Sequence, residues 1–306
     1  MSGGQKYLPF LSGEYSTAPG IKLSAREKSE RDRLVFQIDE NYAEYIKNKE
    51  QCRSENIRKY HLTAHLKDET IAVANKFISK QLALEHPNHF TLDGDVLTNN
   101  LKKETLRIAH EPTGHTNYLS LFDALCCQVQ EDLAVFQLTD ESEYLAAIHL
   151  CSPNHWSPAD KIGQPFDAIH KPVAGMEKTL ERYRAMLQSI VKQGGPFVRF
   201  AWGIGTDNRL NHHPVAPDGI PQKEWDGRSG TNNSFFLRVE RQNLVGFPEV
   251  NAFLFTIRTY FYPVDELESF EKTQLWKAIN GMTEASREYK GIKELLPELN
   301  RRLKHN

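Results

Sequence analysis

Cys151-Ser-Pro-Asn-His-Trp156-Ser-Pro-Ala-Asp-Lys161-Ile-Gly-Gln-Pro-Phe-Asp-Ala-Ile169-His170-Lys-Pro172-Val173 joins a strand end, two short helical turns and a histidine next to a proline in one run. Ser157 is placed to cap a turn whose first residue is Pro158, with Asp160 where a capping-box acid belongs and Gly163 able to end it. Pro165 starts a second turn through Ile169, and Lys171, preceding Pro172, is expected to leave helical geometry. His170 is thereby held at the end of a turn with its direction set from both sides.

A histidine presented in this way reads in two ways: as a ligand to a metal or haem iron, since neutral imidazole is the commonest metal-binding side chain, or as a structural residue bonding a backbone carbonyl. The residues alone leave both open. Upstream, strands over 132–139 and 144–151 flank Asp140-Glu141-Ser142 and deliver the chain into this segment. Downstream, Met176, Leu180, Tyr183, Leu187, Ile190 and Val191 mark the apolar stripe of a helix ended by Gly194-Gly195-Pro196. Strands follow over 197–202, 235–242 and 252–261, with a Gly-, Pro-, Asn- and His-rich loop over 203–233, a length typical of lids or unstructured segments.

Farther out, helices are expected over 39–53, 68–84, 118–130, 265–279 and 283–296, with an Asp93-Gly94 hairpin after Phe90. Residues 1–30 read as an arm lying on the surface, and 31–306 as one α+β domain, a mostly antiparallel sheet with helices on one side and at its ends. At 306 residues, 39% hydrophobic and 25% charged, the chain is long enough to bury a substantial core. A net charge of -2 gives no reason to expect nucleic acid or an anionic membrane as partner. No stretch approaches a signal peptide or a membrane helix, so a cytoplasmic protein is expected.

Cys52, Cys126, Cys127 and Cys151 show neither a disulfide framework nor zinc-ribbon or iron-sulfur spacing, and the adjacent pair reads as including a buried helical thiol. No dinucleotide-binding glycine motif, phosphate loop or nucleophile elbow is present. A zinc hydrolase finds no motif among the twelve histidines: His110 and His115 are separated by Pro112 and Gly114, and His155, His212 and His213 read as surface residues.

Alternate residues of a strand face opposite ways. Arg238, Glu240 and Gln242 therefore share a face of one late strand, while Arg241 lies on its other face. In the next strand Phe253, Phe255, Ile257 and Phe261 form an apolar face opposite Thr256, Arg258 and Tyr260. Each polar face either meets solvent or lines a pocket.

Glu131-Asp-Leu, Tyr144 through Gly163, Ile169-His170-Lys-Pro172-Val173, Arg238-Val-Glu-Arg-Gln242 and Phe255-Thr-Ile-Arg258-Thr, in this order, resemble the haem-dependent oxidative N-demethylase alpha-subunit-like family over roughly residues 30–270. Ala174 departs from the family, which usually has a second proline there. The resemblance implies a PAS-like antiparallel sheet with flanking helices enclosing haem b, at which oxygen demethylates a small secondary amine such as dimethylamine in a monooxygenase-type reaction. Carried over, His170 is the axial metal ligand. Lys161, Arg238 and Arg241 are cofactor-binding, and Glu240 and Arg258 are catalytic, with Arg238, Glu240 and Arg258 facing the pocket. The chain has no motif for a redox cofactor of its own, so electrons from NADPH would arrive through partner subunits carrying flavin and iron-sulfur centres. A haem-binding PAS module that senses a gas or redox state without turnover is the alternative, and a haem-free structural domain a third.

Overall fold

The computed structural model describes residues 6–108, 117–226 and 234–304. In chain order the elements are β1 (Lys22–Leu23), α1 (Glu30–Arg33), α2 (Tyr42–Tyr60), β2 (His61–Thr63), α3 (Asp68–Glu85), β3 (Phe90–Asp93), β4 (Val96–Asn99), β5 (Glu104–Arg107) and α4 (Leu121–Cys126). They continue with β6 (Asp132–Leu138), β7 (Glu143–His149), α5 (Phe166–His170), α6 (Glu177–Leu180), α7 (Tyr183–Gln193), β8 (Phe197–Gly205), α8 (Gln222–Trp225), β9 (Phe236–Phe247), β10 (Ala252–Pro263), α9 (Ser269–Gly281), α10 (Glu284–Tyr289) and α11 (Leu296–Lys304).

The chain is α+β. Seven antiparallel strands run in the order β1-β8-β9-β10-β6-β7-β2, and β3, β4 and β5 form a separate antiparallel sheet. The alternation expected for the late strands holds the large sheet together. Phe253 and Ile257 pack with Phe136, Leu244 and the α7 stripe of Leu187, Ile190 and Val191. Leu254 on the opposite face packs with Val135, Val245 and the α3 residues Ala74, Ile78 and Leu82. Helices thus cover both faces rather than one. Gly246 is required where α7 crosses β9, because a Cβ there would lie 2.4 Å from the Ile190 carbonyl oxygen.

The second face continues past α3 under α9 and α11, where Leu237, Val239 and Tyr260 meet Leu275, Ile279, Leu299 and Leu303. Tyr7 and Phe10 are buried in the same cluster, and β1 adds a short strand to β8. The amino-terminal arm, expected on the surface, is therefore partly an internal element: Tyr7 and Phe10 complete a core that the late helices leave open. The helix expected over 118–130 is confined to α4, where Ser120 Oγ accepts the Asp123 amide at 3.1 Å. The helix expected after Met176 breaks at Arg182, whose φ is -127°. No helix among the described residues is long and apolar enough to cross a membrane.

Candidate functional site

The first face of the sheet is covered by α5 and α7 at one end only. At the other end a cleft of about 350 Å³ opens over β8, β9 and β10, walled by the segment after β7, the loop after β8 and the end of α10. The segment after β7 is turned into place by Asp132, whose two carboxylate oxygens accept the Cys151 and Ser152 amides at 2.8 Å each. Ser157 Oγ caps the next turn by accepting the Ala159 amide, and Gly163 closes it at φ 74° while bonding back to the Leu145 carbonyl. Lys171 keeps helical dihedrals (φ -50°, ψ -36°) despite Pro172, so α5 ends one residue later than the proline argument implies.

His170 occupies the last turn of α5. Its Nδ1 is 2.8 Å from the Phe166 carbonyl oxygen, so Nδ1 carries the proton and donates, and the ring stacks on Phe166 with centroids 3.9 Å apart. Nε2 makes no hydrogen bond among the described residues and keeps its lone pair. Burial, together with the nearby charges of Lys161 and Arg199, pushes the imidazole down to about 4, so it is neutral at ordinary pH. The ring stands beside the cleft rather than in its lining, to which its neighbours Ala168, Ile169 and Pro172 contribute.

Cations dominate the cleft. Lys161, Arg238 and Lys290 line it, and Arg199, on the same sheet face, lies close enough to Glu240 to feel its charge. Burial pushes Lys161 and Lys290 down to about 8 each, although Glu240 partly opposes this for both. Glu240 is already engaged: its Oε1 accepts from Arg238 Nε at 3.3 Å and its Oε2 from Gln242 Nε2 at 3.0 Å. Four cations thus surround Glu240, and with Asp160 as a further carboxylate in the lining the cleft still keeps an excess of positive charge that favours an anion. Gly203 leaves the cleft floor flat beside Arg238, since a Cβ there would meet nothing within 4 Å.

The expectation that Arg258 shares this site is not met by the sheet. Register decides the point: Arg238 lies opposite Phe261, whereas Arg258 lies opposite Arg241, and these two pairs are on opposite faces. Arg258 Nη2 donates to Asp39 Oδ2 at 2.8 Å and its guanidinium covers the Tyr45 ring at 3.7 Å. Arg241 Nη2 donates to the carbonyl oxygens of Asp32 and Leu34. Both sit near the fully buried Glu131, which burial pushes up to about 6 against the pull of Arg258 and Arg241. These two arginines pin the amino-terminal segment to the back of the sheet and do not reach the cleft.

Sequence reasoning missed Arg199, Lys290, Asp207 and His212. His212, expected on the surface, is 5% exposed and lines the cleft. A parallel bridge between Asn154 and His212 ties the loop after β8 to the segment after β7, with the His155 amide donating to the His212 carbonyl at 3.0 Å. His213 is buried as well, beside Tyr60. His110 and His115, the nearest approach to a zinc motif, lie outside the described residues.

A second histidine cluster lies away from the cleft. His149 Nε2 is 3.1 Å from Asp123 Oδ1 and 3.9 Å from Cys127 Sγ, and its Nδ1 is 3.9 Å from Cys151 Sγ. Asp123 is also paired with Arg53. All four cysteines are buried free thiols.

The residues in and beside the cleft fit the group that the resemblance implies. Haem iron would need a neutral donor with a free lone pair, which the fixed tautomer of His170 beside the cleft would provide, and its two carboxylates would need cations, of which Lys161, Arg199, Arg238 and Lys290 are in excess of Glu240. A comparison with known families matches residues 27–299 to the haem-dependent oxidative N-demethylase, alpha subunit-like family.

Proposed function

The chain belongs to the haem-dependent oxidative N-demethylase, alpha subunit-like family, and from that premise we propose that it binds haem b in this cleft and demethylates a small secondary amine such as dimethylamine with oxygen. The observation that carries the reading is the excess of buried cation beside a histidine whose tautomer is fixed with Nε2 free. His170 would hold the iron, and the bound haem supplies the oxygen chemistry. Lys161, Arg199, Arg238 and Lys290 would hold the carboxylates, with Glu240 spacing the cations and keeping Arg238 oriented. Arg241 and Arg258 keep a structural role.

The overall reaction consumes the amine, one oxygen molecule, two electrons and two protons, and yields the demethylated amine, formaldehyde and water. The electrons come from a separate reductase, drawing on NADPH through flavin and iron-sulfur centres. The order β7-β6-β10-β9-β8, in which the last strand joins the first hairpin, supports a PAS-like reading of the central sheet. The Asp207–His212 pair in the cleft wall, a proton-handling group for which a gas sensor has little use, favours an enzyme over a sensor.

The test begins with absorption spectra of protein produced with ample haem, wild type and His170→Ala. The expected result is a Soret band in the wild type that is lost or strongly shifted in the variant, followed by formaldehyde from dimethylamine when a reductase is supplied. Folded wild type without a Soret band would overturn the reading, and haem without turnover would leave the sensor.

A further inference from the structure

We propose that His212 is the residue that accepts a proton from the amine in the cleft, and that Asp207 is its positioning partner. The proposal rests on the reading of the cleft as an amine-oxidising site. Asp207 and His212 lie in the loop after β8, and His212 Nε2 is 2.7 Å from Asp207 Oδ1. Asp207 is held as a carboxylate by the His212 ring and by Arg209, whose Nε and Nη2 reach Oδ2 at 3.1 and 3.0 Å and whose amide reaches Oδ1 at 3.0 Å. A carboxylate only accepts, so Nε2 carries the proton and Nδ1 presents a lone pair.

That lone pair is without a partner among the described residues, although the atom is buried. A buried acceptor left unsatisfied is costly, and what satisfies it must bring an N–H or O–H. The ring lines the cleft and Asp207 holds its other edge. A donor bound in the cleft is therefore the nearest candidate for Nδ1. A secondary ammonium brings two N–H groups. Glu240, the carboxylate expected to bind it, already accepts one hydrogen bond on each oxygen, from Arg238 and Gln242.

The step balances without a redox partner. One N–H bond of the ammonium breaks and an N–H bond forms at Nδ1. The positive charge passes to an imidazolium held against the Asp207 carboxylate, and the amine keeps the electron pair that oxidation at the adjacent carbon requires. The groups facing His212 set its balance. Burial lowers the ring's hold on a second proton most, Arg238 from β9 and Arg209 on the same loop add to that, and Asp207 opposes them, so the ring is neutral before the amine arrives. His155 lies alongside with ring centroids 5.1 Å apart, and Asp226 Oδ1 is 3.8 Å from His155 Nδ1. The backbone of His155 sits at φ 60°, a left-handed conformation that strains a non-glycine residue and recurs at functional sites.

The experiment uses the haem-loaded protein in its diamagnetic ferrous carbon monoxide form, with histidine labelled by nitrogen-15 and dimethylammonium chloride as the probe. The His212 Nδ1 signal is expected to move from the unprotonated to the protonated range on saturation, with Nε2 protonated throughout. Calorimetric affinity for dimethylammonium at pH 7 is expected to fall about tenfold or more in His212→Gln, which keeps an acceptor but takes no proton, and by a smaller factor in Asp207→Asn. An unmoved Nδ1 signal at saturation, or affinities within twofold of wild type in both variants, overturns the proposal while leaving haem and amine binding intact. The Soret band read on each sample separates that outcome from failure of the haem reading itself.

Discussion

Replacing Lys290 by methionine should stabilise the ligand-free protein and weaken its hold on haem. Lys290 Nζ donates to the Trp202 carbonyl at 2.7 Å and lies 5.7 and 5.6 Å from the Trp202 and Tyr15 ring centroids. Burial nevertheless lowers the ammonium from 10.5 to about 8, a difference that costs the charged form about 3 kcal/mol. Methionine forgoes the hydrogen bond and the ring contacts, together about 1–2 kcal/mol, so the net gain at pH 7 is about 1–2 kcal/mol. The sign follows from the depressed value in the folded state. Below about pH 8 the lysine is charged whether folded or unfolded, and the penalty is complete. Between about 8 and 10.5 the unfolded chain holds the proton longer, so the wild type gains stability as pH rises and the variant loses its advantage.

Haem binding should move the other way, since one cation fewer faces the two carboxylates. A loss of about 1–3 kcal/mol, or about tenfold to a hundredfold in affinity, is expected for a partly solvated pair. Haemin dimethyl ester, which lacks those charges, should bind both proteins alike. Around pH 8 the wild type should also take up protons as it binds haemin, because Lys161 and Lys290 are each about half charged beforehand. Urea denaturation at pH 7 and pH 10 together with haemin titration tests all of this. A variant that is less stable at both pH values, or that binds haemin as the wild type does, would refute the electrostatic account of the cleft.

Arg258→Met should destabilise the protein by about 3 kcal/mol by leaving Asp39 and Glu131 without their buried counter-charge, yet leave the haem spectrum unchanged. A shifted Soret band in that variant would place Arg258 at the cleft after all. Phe10→Ala should cost about 3–5 kcal/mol in denaturant unfolding, the range for emptying a buried aromatic site, and a loss below about 1 kcal/mol would return the arm to the surface.

Much of the sheet was legible because strand alternation is a local property. Phe253, Phe255 and Ile257 mark a buried face without help from the rest of the chain, and the capped turns before His170 follow from Ser157, Pro158, Gly163 and Pro165. Register between strands is not local, and there the reading of Arg258 failed: alternation tells which residues of one strand are cofacial but not which face of its neighbour joins them. Arg199 and Lys290 were invisible for a related reason, since a strand arginine and a lysine after a short helix carry no signal until folding brings them to Glu240. His212 left a faint trace, a histidine five residues after an aspartate in a loop too long to be a simple connection. Tyr7 and Phe10 were lost in a glycine- and serine-rich stretch whose aromatic residues were its informative part.

The position of β10 has a consequence for the life of the chain. It is the last strand made, yet it lies in the middle of the sheet, joined to β9 on one side and β6 on the other. While the ribosome is still adding residues before Ala252, the hairpin of β6 and β7 and the strands β8 and β9 have no common neighbour to unite them. The cleft floor then lacks Phe261 and its wall lacks Lys290. Whatever the cleft holds can be captured only once the chain has been made past Lys290, so its uptake follows completion of the whole sheet.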